Sequence, residues 1–122
     1  MEKSKHSAVF MINPKPKVRM TQRSKWSKRA RECLDYQDDI AKLARAFRFP
    51  YFGKSLVGFS RLIFRRCGRL ADNDNLLKAF QDGLQYGQVF DNDNQVRALD
   101  GFRIEYVKDP RDALIDFEIY KI

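Results

Sequence analysis

The sequence has one histidine, His6, and two cysteines, Cys33 and Cys67, and that scarcity excludes several chemistries together. A Ser-His-Asp or Cys-His nucleophile, or a His-rich zinc site, needs a well-held imidazole, and His6 stands in a terminus expected to fray. Two cysteines without paired metal spacing make no zinc ribbon and no disulfide framework, so both read as small buried thiols. No apolar run approaches the roughly 18 residues of a membrane span. The opening Met1-Glu2-Lys3-Ser4-Lys5 lacks the apolar stretch of a secretory signal, and the expected location is the cytoplasm. Gly53-Lys54-Ser55 looks like the end of a Walker phosphate loop, but the earlier glycine that loop requires falls on Arg48. Any catalysis therefore rests on Asp, Glu, Lys or a bound metal.

What is present is apolar surface and sorted charge. With 122 residues, 43% of them hydrophobic and ten of them Phe, the chain suits one domain, residues 1–122, with a packed core. The net charge of +8 has one main address. A basic arm over residues 13–31 holds eight cations between Lys15 and Arg31 and no acid, and residues 40–71 hold eight more, again without an acid. One such run is usually a solvated face; two in one chain favour the binding of a polyanion through its phosphates. Within the arm, Trp26 suits either stacking on a base or anchoring the core, and Thr21, Gln22, Ser24 and Ser27 suit phosphate hydrogen bonds.

The periodicity predicts a strand over 7–12, stopped by Asn13-Pro14-Lys15-Pro16, then the arm as a loop. Apolar residues at Cys33, Tyr36, Ile40, Leu43, Ala44 and Phe47 predict a helix over about 27–47, ended by Pro50. Residues 56–65 are apolar on both alternations, the pattern of a central strand covered on two sides, with Arg65, Arg66 and Arg69 then surrounding Gly68 in a loop. A helix over 74–85 has Leu76, Leu77, Phe80 and Leu84 on one side and Asp74, Lys78, Gln81, Asp82 and Gln85 on the other. A long strand is expected over 95–107, with Asp100-Gly101 a bulge in preference to a hairpin turn, and a last strand alternates from Ala113 to Lys121. The order implies an α/β (α+β) domain, a mixed β-sheet with two helices.

The tetrapeptide Asp-Asn-Asp-Asn occurs twice, at 72–75 and 91–94. Both copies stand where a helix cap or turn is due, which is reason enough for Asp and Asn. Yet Asp72, Asp74, Asp91 and Asp93 carry more charge than two caps require, in a chain otherwise suited to phosphates. Clustered carboxylates without His or Cys are hard ligands for Mg²⁺ or Mn²⁺. Lys78, four residues after Asp74, is either its helix ion-pair partner or an ammonium that stabilises charge on a reacting phosphoryl group.

Together, Asp72-Asn73-Asp74-Asn75-Leu76-Leu77-Lys78, Asp82-Gly83-Leu84 and Asn92-Asp93-Asn94-Gln95-Val96 resemble the RusA-like Holliday-junction resolvases (crossover junction endodeoxyribonucleases). That family's pattern is Asp-x-Asp-Asn-x-x-Lys, then Asp-Gly-Leu, then Asp-Asp-x-Gln-Val or -Ile. A Pro-Lys-Pro-Lys-x-Arg stretch after the first strand extends the resemblance over almost the whole chain. It implies a homodimeric Mg²⁺-dependent endonuclease, often of phage or prophage origin, that cuts four-way DNA junctions symmetrically in recombination and repair; Mn²⁺ is the expected substitute. Carried over by position, Asp72, Asp74 and Asp93 would bind metal and Lys78 would be the catalytic lysine. Asn92 departs from the pattern, since an amide oxygen ligates Mg²⁺ without adding charge, and Asp91 is the neighbouring carboxylate that compensates or does not. The expected DNA contacts are Lys15, Lys17, Arg19, Arg23, Lys25, Arg65, Arg66 and Arg69. The rival readings are a non-catalytic nucleic-acid-binding module whose acids are caps, and an interaction protein whose charges only confer solubility.

Overall fold

The computed structural model describes residues 5–18 and 27–122. Seven main elements follow in order: β1 (Lys5–Phe10), α1 (Lys28–Ala46), β2 (Val57–Cys67), α2 (Asn73–Tyr86), β3 (Val96–Leu99), β4 (Phe102–Val107) and β5 (Leu114–Lys121). They build a single α+β domain with a mixed five-stranded sheet and two helices, as the alternation of periods implied. No described helix is long and apolar enough to cross a membrane. His6, expected in a frayed end, is instead held within β1 opposite Ile119 of β5, close to the rings of Phe49 and Phe52.

β2 is the centre of the sheet. β5 runs antiparallel along one edge, with β1 antiparallel beyond it. Along the other edge β3 and β4 both run parallel to β2, Val57 facing Val96 and Leu62 facing Phe102. The chain therefore does not reverse at Asp100-Gly101: one edge strand is interrupted there, with Gly101 at φ 58 and the Asp100 amide donating to the Phe59 carbonyl. The hairpin alternative is thus excluded, but Asp100-Gly101 is not a bulge either: Phe59 faces Leu99 and Leu62 faces Phe102 with no residue inserted between, and the register shift against β2 lies between Val57 and Gly58.

The expectation that β2 is covered on two sides does not. Both helices pack on one face, burying Val57, Phe59, Leu62 and Phe64 against Ile40, Ala44, Leu76 and Phe80. The register along β5 slips at Ser60, since Phe59 faces Ile119 and Arg61 faces Glu118. One extra residue moves the inward positions from odd to even, so a strand with one buried face reads as apolar on both alternations. Arg61, Ile63 and Arg65 lie on the other, open face. Arg65 and Arg66 belong to β2 and not to a loop.

Each helix starts on the residue type that caps it and stops by the same device. Ser27 accepts from the Ala30 amide, and Asp72 from the Asp74 amide. At the C-termini, Phe49 donates to Ala44 and Arg48 to Arg45, while Val89 donates to Leu84 and Gln88 to Gln85. These paired bonds close a Schellman turn with a left-handed residue, Arg48 at φ 56 and Gln88 at φ 61. The first helix thus ends at Ala46, before Pro50 could act. Gln81, expected on the polar side of α2, is buried.

The core is aromatic, with Phe117 meeting Phe10 edge-on at 4.9 Å and Phe80 at 5.1 Å between ring centres. Tyr36 sits at its margin, 2% exposed, its hydroxyl without a hydrogen-bond partner among the described residues. Burial pushes its phenol well above the usual tyrosine range; the Lys15 main chain nearby opposes this, but not in hydrogen-bonding geometry. A buried hydroxyl left unpaired costs on the order of 1–3 kcal/mol, so Tyr36→Phe is expected to raise stability by about 1 kcal/mol. Because the folded phenol ionises later than the unfolded one, whose reference lies at 10.0, its contribution is complete below that pH and is lost as pH rises above it. Denaturant titrations should show that alkaline loss in the parent and less of it in Tyr36→Phe.

Candidate nucleic-acid interface and acidic clusters

Both Asp-Asn-Asp-Asn segments begin a helix, one residue out of step. Asp72, the first residue of its segment, caps α2 and places Asp74 in the first turn. Asn92, the second residue of its segment, caps the short helical turn Asp93–Gln95 by accepting from the Asn94 amide at 3.0 Å. Capping needs an oxygen and no charge, so the amide at Asn92 loses nothing there. Asp91 accepts a hydrogen bond from the Tyr51 hydroxyl, which pushes that phenol up. Its carboxylate is held by Tyr51.

The two acidic clusters lie at opposite ends of the molecule. Asp72 and Asp74 follow the C-terminal end of β2, where the Ala71 amide donates to the Tyr106 hydroxyl at the far end of β4. Asp93 follows α2, whose 14 residues span about 20 Å. It is anchored beside the start of β2, since Gln95 bonds to Gly53 and Ser55. Among the described residues no three of His, Cys, Asp and Glu form a group that could hold a metal ion. Asp72, Asp74 and Lys78 are brought together on the exposed first turns of α2; Asp93 is not brought to them within one chain. Lys78 makes no ion pair with Asp74.

The Asp72 end carries the cations. Two adjoining clefts, of about 230 and 310 Å³, share Pro16, Arg29 and Arg66. Their walls add Lys15, Lys17 and Arg69, and the second cleft ends at Asp72 and Asn75. Arg66 spends two donors on main chain, Nη1 to the Pro14 carbonyl at 2.6 Å and Nε to the Arg69 carbonyl at 3.0 Å. It therefore clamps residues 14 to 17 against the loop that leads into Asp72. Asn13 completes the clamp, exchanging two 2.8 Å bonds with the Cys67 main chain. Arg65 points away, paired with Glu105 at 2.9 Å on the open face of the sheet. Arg19, Arg23, Lys25 and Trp26 lie outside the described residues.

Asp82-Gly83-Leu84 has a structural account. Asp82 takes the Lys17 ammonium at 2.8 Å and a longer bond from Gln37, and the hydrogen bond to Asp82 holds Lys17 above the usual lysine range. The Lys17 amide also donates to the Asn75 carbonyl, so the base of the arm is fastened to α2 twice. Leu84 is fully buried. At Gly83 a Cβ would stand 2.6 Å from Ile40 Cβ and Cγ2, which sets how closely α1 and α2 cross.

Two features of this region had little signal in the sequence. Arg29 belongs to the arm but is the cation shared by both clefts. Leu70, 86% exposed beside Asp72, is an apolar group of the kind that packs on an unstacked base. At the Asp93 end, Gln95, which the sequence marks within the Asn92-Asp93-Asn94-Gln95-Val96 motif, is buried. No protein-family model matches the chain, and no curated protein matches it.

The Gly83 contact decides between two opposed effects. Gly83→Ala gains up to about 1 kcal/mol of helix propensity, but overpacking against Ile40 costs about 1–3 kcal/mol. A net loss of about 1–2 kcal/mol is expected by thermal or urea unfolding, and Ile40→Val should not relieve it, since valine keeps the Cβ and Cγ2 that crowd the new methyl.

Proposed function

We propose that the chain is a homodimeric, Mg²⁺-dependent, structure-selective DNA endonuclease of the RusA-like kind, resolving four-way junctions by paired hydrolysis. The observation that carries this reading is the basic cleft that ends at Asp72, beside Asp74 and Lys78. Lys17 and Arg66 are engaged within the domain, by Asp82 and by main-chain carbonyls, whereas Arg29 and Arg69 make no ion pair among the described residues. The first turn of α1 has Lys28 and Arg29 and no acid, although cations disfavour a helix N-terminus, and the arrangement is suited to a backbone phosphate. A phosphodiester lying in the cleft would bring its charge to the end of the carboxylate pair, with Lys78 one turn further along α2.

The distance between Asp93 and the Asp72-Asp74 pair supports the dimer. Three carboxylates of one site cannot come from one chain when α2 separates them, but a two-fold pairing that sets the start of one α2 near residues 91 to 95 of the other joins them twice. The two sites so formed match the two scissile strands of a junction. Asp72 and Asp74 with the partner subunit's Asp93 would hold Mg²⁺, which when bound supplies Lewis-acid activation. The chain's own part is to present oxygen donors, to hold the strand in the cleft, and to place the Lys78 ammonium where negative charge develops on phosphorus. The caps at Asp72 and Asn92 are what favours the rival reading, a binding module without catalysis.

Mixing separates these. Asp74→Asn and Asp93→Asn homodimers are each expected to be inactive on a synthetic four-way junction with Mg²⁺. After subunit exchange, half the dimers are mixed and each has one intact site, so about a quarter of the parental cleavage should return, as single nicks. If each site comes from one chain nothing returns, and if the parent cuts neither branched nor linear DNA the binding-module reading prevails.

The cleft itself is tested by salt. Each phosphate neutralised contributes roughly 0.9 to the slope of log K against log salt. Arg29→Ala with Arg69→Ala should lower the slope by about two, while Arg65→Ala, on the open face, leaves it unchanged. The reverse result would move the contacts to the sheet.

A further inference from the structure

Gln95 is 7% exposed and uses every hydrogen-bonding position of its amide. Its Oε1 accepts from the Asp91 amide at 3.0 Å and from the Asn92 amide at 2.8 Å. Its Nε2 donates to the Gly53 and Ser55 carbonyls, both at 2.8 Å. Only a primary amide can accept twice and donate twice in this way. A carboxylate cannot donate twice, an ammonium cannot accept, and an apolar side chain leaves all four main-chain groups unpaired. The groups belong to two loops, one before β2 and one after α2. Those loops are also joined by the Phe52 amide on the Val89 carbonyl at 2.8 Å and by the Tyr51 hydroxyl on Asp91. Asp93 sits inside this latched unit, next to the cap Asn92.

An apolar residue of its size would leave four main-chain groups without partners, so the Gln95 amide stabilises this loop. It also gives the loop direction, because four bonds with fixed geometry allow one arrangement of residues 91 to 95. We infer that Gln95 is a positioning residue for Asp93, holding the loop so that its carboxylate is presented, already ordered, to the metal site shared with a second copy. The inference rests on the dimeric site proposed above. It concerns a residue that touches neither metal nor DNA and acts through the main chain of its neighbours, in the way supporting hydrogen bonds tune metal ligands.

The test uses the full chain with Gln95→Met and Gln95→Glu, and Mn²⁺ as the probe, bound directly and followed by electron paramagnetic resonance. Mn²⁺ affinity is expected to fall roughly 10–100-fold in both variants. The amides of Asp91 and Asn92 should exchange hydrogen faster, and junction binding without metal should stay at the parental level. A parental Mn²⁺ affinity in both variants would overturn the inference. So would failure of both to fold, which would make Gln95 a residue of the fold alone, and so would a parent that binds no Mn²⁺. Cleavage by the parent is measured in parallel: a parent that binds Mn²⁺ without cutting junctions sinks the nuclease reading alone, and the role of Gln95 is still decided by the Mn²⁺ titration.

Discussion

Parallel pairing of β2 with β3 and β4 is the constraint from which the rest of the arrangement follows. Two parallel neighbours cannot be joined by a tight turn, so the chain must travel back along β2 before it pairs again. α2 is that return, and it lies on the sheet with Leu76, Ala79, Phe80 and Leu84 buried against β2 and β5. A crossover helix necessarily has its two ends at opposite ends of the strand it spans. The segments 72–75 and 91–94, similar in sequence and both used to start helical turns, are thereby set far apart. Their separation follows from the topology, whatever the side chains do.

Around that helix, each end of the domain is fastened by different means. The Asp72 end is held by charge and main chain: Arg66 on Pro14 and Arg69, Asn13 on Cys67, Lys17 on Asp82. These bonds bring the start of the basic arm, the first turn of α1 and the loop before α2 to one cleft. The Asp93 end is held by the Gln95 amide, the Tyr51 phenol and the main-chain bond from Phe52 to Val89. Between them the α1–α2 crossing, closed by the missing side chain at Gly83, keeps the two ends in a fixed relation. The proposed dimer uses this rigidity, since a site divided between two copies works only if each half is presented at a constant distance.

The open face of the sheet is the counterpart of the one-sided core. Arg61 pairs with Asp116 at 3.1 Å, Arg65 with Glu105 at 2.9 Å, and Ser60 donates to Glu118 at 2.6 Å. Part of the acid-free run over residues 40–71 is therefore neutralised across strands by acids from later in the chain. Charge that looks sorted along the sequence is partly mixed again in space; at the clefts Lys17 is paired with Asp82, while Arg29 and Arg69 keep the character that the sequence suggests.

Much of the molecule was legible because its causes are local. The 3.6-residue spacing of Cys33, Tyr36, Ile40 and Ala44 and the alternation of Ile115, Phe117 and Ile119 are written in neighbouring residues, and the elements form there. The element order was enough for a mixed sheet with two helices, and the repeated Asp-Asn-Asp-Asn marked both helix starts. What depended on pairing was not legible. The bulge at Ser60 shifts the phase of β2 and mimicked a strand covered on two sides. Arg65 and Arg66 are adjacent in sequence, yet the pleat sends one to the open face and the other to the clamp. The distance between Asp72 and Asp93, and the burial of Gln95 between two loops, arise from the crossover of α2. Sequence neighbours determine caps and periods, whereas register, crossover and the meeting of distant loops exist only once strands have chosen their partners.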